Sequence, residues 1–164
     1  MLFRSHKKTE KMIKESGIKY SLLRNNWYLE NDELLWKKCG IEGKNLYDAL
    51  GQQKIGYALR REYAEAAAKV LLMKDPKNIY ELTGKPRTLK EVGETLKKVT
   101  KKDFKIIEVP KEKMAEKMKE EGYDEYIIGT WSFMINDYLK GCLNFESNDL
   151  KDVLGREPTS LENG

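Results

Sequence analysis

Between Asn25 and Asn31 the chain sets carboxamides, an indole and a phenol in close succession, as Asn25-Asn26-Trp27-Tyr28-Leu29-Glu30-Asn31. A carboxamide N–H can donate to an oxygen on which negative charge develops, and adjoining rings can wall a planar ligand. Asn25 and Asn26 are therefore candidate catalytic residues, and Trp27, Tyr28 and Asn31 are candidate substrate contacts. The competing readings are plain ones: asparagine is common in turns, and aromatics beside a strand often only pack. His6, the single histidine, is a third candidate catalytic residue. Tyr57 is a further candidate for a pocket wall.

Position in the fold has to separate these readings. Tyr20-Ser21-Leu22-Leu23-Arg24 reads as a short buried strand that ends where the carboxamides begin. Open α/β sheets bind ligands at that end of a strand, so residues 25–31 are expected to form a ligand-facing loop. Thr9, Met12, Ile13 and Ser16 recur at helical spacing before it, with Gly17 placed to close the helix. Asn31 or Asp32 can cap a short helix through Glu33-Leu34-Leu35-Trp36, after which Gly40, Gly43 and Gly51 mark an irregular connection.

Strands are predicted at 55–59, 79–82 and 104–109, the last halted by Pro110. Between them lie a helix from Arg61 to Lys74 and a turn at Gly84 and Pro86. Ala64, Ala67, Ala68, Leu71 and Leu72 form the expected inward face of that helix. Thr88 with Glu91 forms a capping box opening a helix with Leu89, Val92, Leu96 and Val99 inward. Further helices follow at 111–121 and 124–140, the second with Ile127, Trp131, Met134, Ile135 and Tyr138 on a stripe read as lid or core. Ser147-Asn148-Asp149 caps a last short helix stopped by Gly155. The expected class is α/β, with about four strands in a parallel sheet and a helix-rich C-terminal region. Arg24 is expected to be structural, paired with Glu62 or Asp48.

Composition narrows the partners. The 164 residues include 31 basic against 27 acidic, a net charge of +4. The lysines are spread along helices rather than gathered beside aromatics, which argues against nucleic acid. Mean hydropathy is -0.72, and no apolar run approaches the roughly 20 residues of a membrane span. Cys39 and Cys142 lack the spacing of a zinc or redox pair, and no metal site is expected. With no apolar stretch at the N-terminus, a reducing cytoplasm is the expected home.

No glycine-rich turn follows a first strand, although that turn would hold a pyrophosphate. Four blocks in order carry a resemblance that accounts for this. They are His6-Lys7-Lys8-Thr9-Glu10 leading to Leu22-Leu23-Arg24-Asn25-Asn26-Trp27-Tyr28; Tyr57-Ala58-Leu59-Arg60-Arg61-Glu62-Tyr63-Ala64-Glu65-Ala66-Ala67; Tyr80-Glu81-Leu82-Thr83-Gly84; and Leu154-Gly155-Arg156-Glu157-Pro158-Thr159-Ser160-Leu161. In this wording the chain resembles the NmrA-like branch of the atypical short-chain dehydrogenase/reductase family.

The resemblance implies that residues 6–164 are the C-terminal half of a Rossmann-like NAD(P)-binding domain whose cofactor-binding half lies upstream. It also implies a quinone or related carbonyl acceptor and NADP or NAD as cofactor. Asn25 and Asn26 would then donate to the acceptor oxygen, and His6 and Asn25 would reach the cofactor. His6 lies four residues before Glu10, the spacing of the tyrosine–lysine pair of related dehydrogenases, but Leu2 rather than tyrosine stands four residues before His6. The alternatives are a dinucleotide-sensing regulator without turnover and a small independent interaction module. Met1 to Ser5 depart from the family and are expected to be a non-native leader. Homo-oligomer formation stays open: in a genuine short protein the sheet edge beside residues 20–24 would be unpaired and prone to association, whereas in a longer chain the upstream half would fill it.

Overall fold

The computed structural model describes residues 4–164, with side chains from His6 onward. The expectation for residues 1–5 thus falls outside the described side chains. Helix α1 (Arg4–Glu15) leads through Gly17, whose φ is 74°, to strand β1 (Leu22–Asn25). Asn26 alone separates β1 from β2 (Trp27–Tyr28), so the expected ligand loop begins as a two-residue strand. A single 3-10 turn (Leu29–Asp32) then enters α2 (Glu33–Gly40). The connection expected to be irregular contains β3 (Leu46–Asp48), and β4 (Lys54–Ala58) follows.

Helix α3 (Arg60–Leu72) joins β4 to β5 (Ile79–Leu82). Pro86–Thr88, expected as part of a turn, forms β6 and runs into α4 (Leu89–Thr100). The chain ends with β7 (Ile106–Glu108), α5 (Lys111–Glu120), α6 (Glu125–Leu139) and α7 (Asp149–Leu154). No described helix is long and apolar enough to cross a membrane.

The fold is mixed α/β, and among the described residues its strands form three sheets. β1 pairs in parallel with β5, Leu22 opposite Ile79 through Asn25 opposite Leu82. β2 pairs in parallel with β4, and β4 also pairs with β6 in the antiparallel sense. β3 pairs in parallel with β7. One extended path, β1–Asn26–β2, therefore feeds two ladders.

The ladders rest on two apolar clusters. The larger gathers Leu46, Ile55, Tyr57, Leu89 and the α6 stripe of Ile127, Trp131, Met134, Ile135 and Tyr138, so that stripe is core. The smaller holds Tyr63, Ala66, Val70, Tyr80, Leu82 and Leu150. Helix α3 turns a different face inward from the one its alanines suggest. Glu62, Tyr63, Ala66 and Val70 are buried, whereas Leu71 and Leu72 are exposed. The reason is Glu62, a charged residue that hydropathy assigns to solvent. Its carboxylate accepts from Arg156 Nη1 (2.8 Å), Thr159 N (2.8 Å) and Thr159 Oγ1 (2.9 Å), tying α3 to the C-terminal segment. Burial alone would raise this acid, but Arg156 and Thr159 outweigh it and hold it below the ordinary range.

Candidate functional site

The β1–β2 path turns at a crowded junction. A Cβ on Gly56 would come within 2.0 Å of Thr83 Oγ1 and 2.5 Å of Asn26 Nδ2, and one on Gly84 within 1.8 Å of Tyr57 O. Only residues without a side chain allow β4 and the end of β5 to close on Asn26. Asn26 is consumed there: Nδ2 donates to Thr83 Oγ1 (2.9 Å) and Leu143 O (3.1 Å), and Oδ1 accepts from Trp27 N (2.9 Å). Its two amide hydrogens are both spent on the fold, so the expectation that Asn26 donates to a ligand is corrected. It positions Trp27 instead.

Beyond the junction, residues from β1, β2, the 3-10 turn and α6 enclose a cleft of about 340 Å³. His6, Asn25, Asn26, Trp27, Tyr28 and Asn31 all line it, facing Met134, Asp137 and Tyr138. Asn25 Nδ2 donates to the Tyr28 hydroxyl (3.1 Å), so the pair is pre-aligned and the phenol keeps its own hydrogen to donate. The Tyr28 ring lies 5.1 Å from that of Tyr63, and the Arg60 guanidinium stands 5.6 Å from its centroid. Asn31 Oδ1 accepts from Arg60 Nη2 (2.9 Å), which fixes the far wall. At the β1 end of the cleft Arg24 is held by Glu10, through Nε and Nη2 at 2.8 Å each, and by Glu81. Glu10 and Glu81 thus replace the expected partners Glu62 and Asp48. The Arg24 hydrogen bonds hold the Glu10 carboxyl below its ordinary range.

Two candidates change meaning. Tyr57 does not line the cleft; it is 4% exposed and its hydroxyl donates to Asp32 Oδ2 (3.2 Å). Burial raises this phenol well above its ordinary value, with the Asp32 carboxylate adding to the effect. Asp32, read from sequence as a helix cap, makes no side-chain cap bond and is 2% exposed. The same Oδ2 accepts from Trp27 Nε1 at 2.9 Å. Burial pushes the Asp32 carboxyl up to about 7, against the opposing pull of the Trp27 and Tyr57 hydrogen bonds. Sequence reasoning missed it because an aspartate before a helix is ordinary; the one signal was Trp27 five residues earlier, an indole needing an acceptor once buried.

Three helices that follow strands, α3, α4 and α5, offer no favourable N-terminus to the phosphates of a dinucleotide. Such phosphates sit on the free N–H groups of a helix that follows a strand. The N-terminus of α3 is covered by Glu30, whose carboxylate accepts from Arg60 N at 3.0 and 3.1 Å. That of α4 is closed by its own Thr88–Glu91 capping box. The turn from β7 to α5 faces Asp48 and Glu108, which are opposite one another across the β3–β7 ladder. Each position repels or excludes an added anion.

No family model matches the chain. It is 32% identical over 158 residues to Quinone oxidoreductase 2 of Escherichia coli (strain K12), covering 95% of this chain and 55% of that protein. The crystal structure of that NADPH-dependent quinone oxidoreductase complexed with NADPH superposes with a TM-score of 0.80 at 31% identity, over 96% of this chain and 56% of the other. The triphenylmethane reductase of Citrobacter sp. complexed with NADP(H) also superposes with a TM-score of 0.80, at 26% identity, over 96% of this chain and 56% of its own. The chain spans about half the length of the curated relatives it matches. With sequence and fold in agreement over nearly its whole length, the chain is a homologue of E. coli quinone oxidoreductase 2, with the Rossmann-like fold of the NmrA-like atypical reductases.

Proposed function

We infer that this chain supplies the acceptor-side half of an NAD(P)H-dependent oxidoreductase acting on a quinone or a related carbonyl compound in a reducing cytoplasm. The observation that carries this reading is the cleft at the carboxyl end of β1, where Asn25, Tyr28 and Asn31 meet the Trp27 indole. Its walls suit a flat ring, and the Asn25–Tyr28 pair offers an O–H to an acceptor oxygen as charge develops. His6, on α1, lines the same cleft. The cofactor would supply the hydride, and its phosphates would be held by a dinucleotide-binding half of the kind found in the longer relatives.

The test is NADPH oxidation with 1,4-naphthoquinone, by this chain alone and by this chain joined to the dinucleotide-binding half of quinone oxidoreductase 2. The expected result is that this chain alone neither binds nor oxidises NADPH measurably and that the joined protein does both. A well-folded joined protein that binds NADPH yet oxidises it with no quinone overturns the reading in favour of a sensor.

A further inference from the structure

The Trp27 wall of the cleft is anchored to a single buried atom. Asp32 Oδ2 accepts both the indole N–H at 2.9 Å and the Tyr57 hydroxyl at 3.2 Å. Trp27 is held from two other directions, its backbone N–H donating to Asn26 Oδ1 and its ring packed edge-on to that of Tyr138, 5.7 Å between centroids at 87°. Among the described residues, Asp32 is thus the ionisable group that accepts a hydrogen bond from the indole N–H.

We propose that Asp32 is a positioning residue for the acceptor cleft: its carboxyl sets the pitch of the Trp27 indole, and gain or loss of its proton changes how firmly the cleft holds a flat quinonoid ring. This role rests on the quinone-acceptor reading above. As a carboxylate, Oδ2 can receive both donors in charge-assisted bonds. As an acid, it either carries the hydrogen itself, which displaces the indole N–H, or accepts as a weaker carbonyl oxygen. The wall is therefore firmer in the ionised state, and burial brings the two states into exchange near neutrality.

The ionisable groups facing Asp32 are Tyr57 from β4 and Tyr138 from α6, both phenols raised by burial and by Asp32, and both neutral throughout that range. His6 from α1, Arg24 from β1 and Asp137 from α6 line the cleft side of the indole. Replacement of Asp32 separates its titration from theirs.

Nitrogen–proton correlation spectra of the full chain without ligand test this directly. The three tryptophans give three indole signals, and that of Trp27 is assigned by its loss in Trp27→Phe. The wild-type signal is expected to move with pH with a midpoint near about 7. In Asp32→Asn, which keeps a carbonyl acceptor of the same size, it should stay still. Asp32→Leu should shift it to the position of an unbonded indole; if that variant fails to fold, Asp32→Asn alone decides. A Trp27 signal that ignores pH, or that titrates equally in Asp32→Asn, overturns the assignment.

Binding of 1,4-naphthoquinone on either side of neutrality supplies the second readout. Affinity is expected to rise about fivefold with ionisation in the wild type and to be flat in Asp32→Asn. A wild-type chain that binds no naphthoquinone at either pH overturns the quinone reading, while the ligand-free indole signal still decides the role of Asp32.

Discussion

The segment from Tyr28 to Asn31 separates two hollows. On one side Tyr28 and Asn31 line the cleft; on the other Leu29 and Glu30 line a larger groove of about 510 Å³ with Trp36, Val92, Leu96, Val99 and Leu161. The larger hollow is the greasier one, and the oriented polar groups stand around the smaller. Around the cleft, adjacent groups hold hydrogens in defined directions through Asn26, Asp32 and Arg60. Around the groove, α2 and α4 meet at Gly40 against Leu96 and Thr100, and the lining between them is mostly apolar side chains. A hollow becomes a site when its polar groups are oriented by a supporting set of bonds, and volume alone does not do this.

The sharpest way to break the contrast is Gly56→Ala. Its methyl would collide with Thr83 and Asn26 at the junction beneath the cleft, with an expected loss of about 3 kcal/mol in urea unfolding. The groove, lined from α2 and α4, is expected to remain in whatever native fraction survives. The asparagine pair comes next. Asn26→Ala strands Thr83, Leu143 and the Trp27 amide and should cost about 2–3 kcal/mol. Asn25→Ala should change stability by less than about 0.5 kcal/mol, because its residue is exposed, yet weaken naphthoquinone binding. Equal losses from the two would remove the distinction drawn between them.

Asp32 gives a pH-resolved version of the same comparison. Its native carboxyl is raised to about 7 from an ordinary 3.8, so the folded state binds the extra proton. Stability from this group is complete below the lower value and lost as pH rises through the upper one. Wild type should therefore lose about 4 kcal/mol relative to Asp32→Asn between those limits, measured by chemical unfolding across the range. The smallest effect belongs to the groove. Val99→Ser, at a site 50% exposed, should alter stability by less than about 0.5 kcal/mol and leave cleft binding unchanged.

Much of the scaffold was legible because local rules act there without help from afar. The Thr88–Glu91 box, the stop at Gly155 with φ 72° and the α6 stripe all follow from neighbours within a few turns. Elements set by distant partners were not legible. β3 exists because β7 lies beside it, and Trp27–Tyr28 becomes a strand because β4 does. The inward face of α3 was misread because the burial of Glu62 depends on Arg156 and Thr159, more than ninety residues away. Similarly, sequence could mark Asn25 and Asn26 as a pair, but only the placement of Thr83 and Leu143 shows which amide is spent.

The junction at Asn26 also bears on the order of folding. Its side-chain bonds span 57 residues to Thr83 and 117 to Leu143, so closing it requires β5 and the segment after α6 to be already in place. Contacts of such separation carry a high loop-closure entropy and are disfavoured until nearer ones have formed. Substitutions at Asn26 are thus expected to speed unfolding far more than they slow folding, with a φ-value near zero. The helices, whose own bonds are local, can form early, while the cleft takes shape only once these distant segments have met.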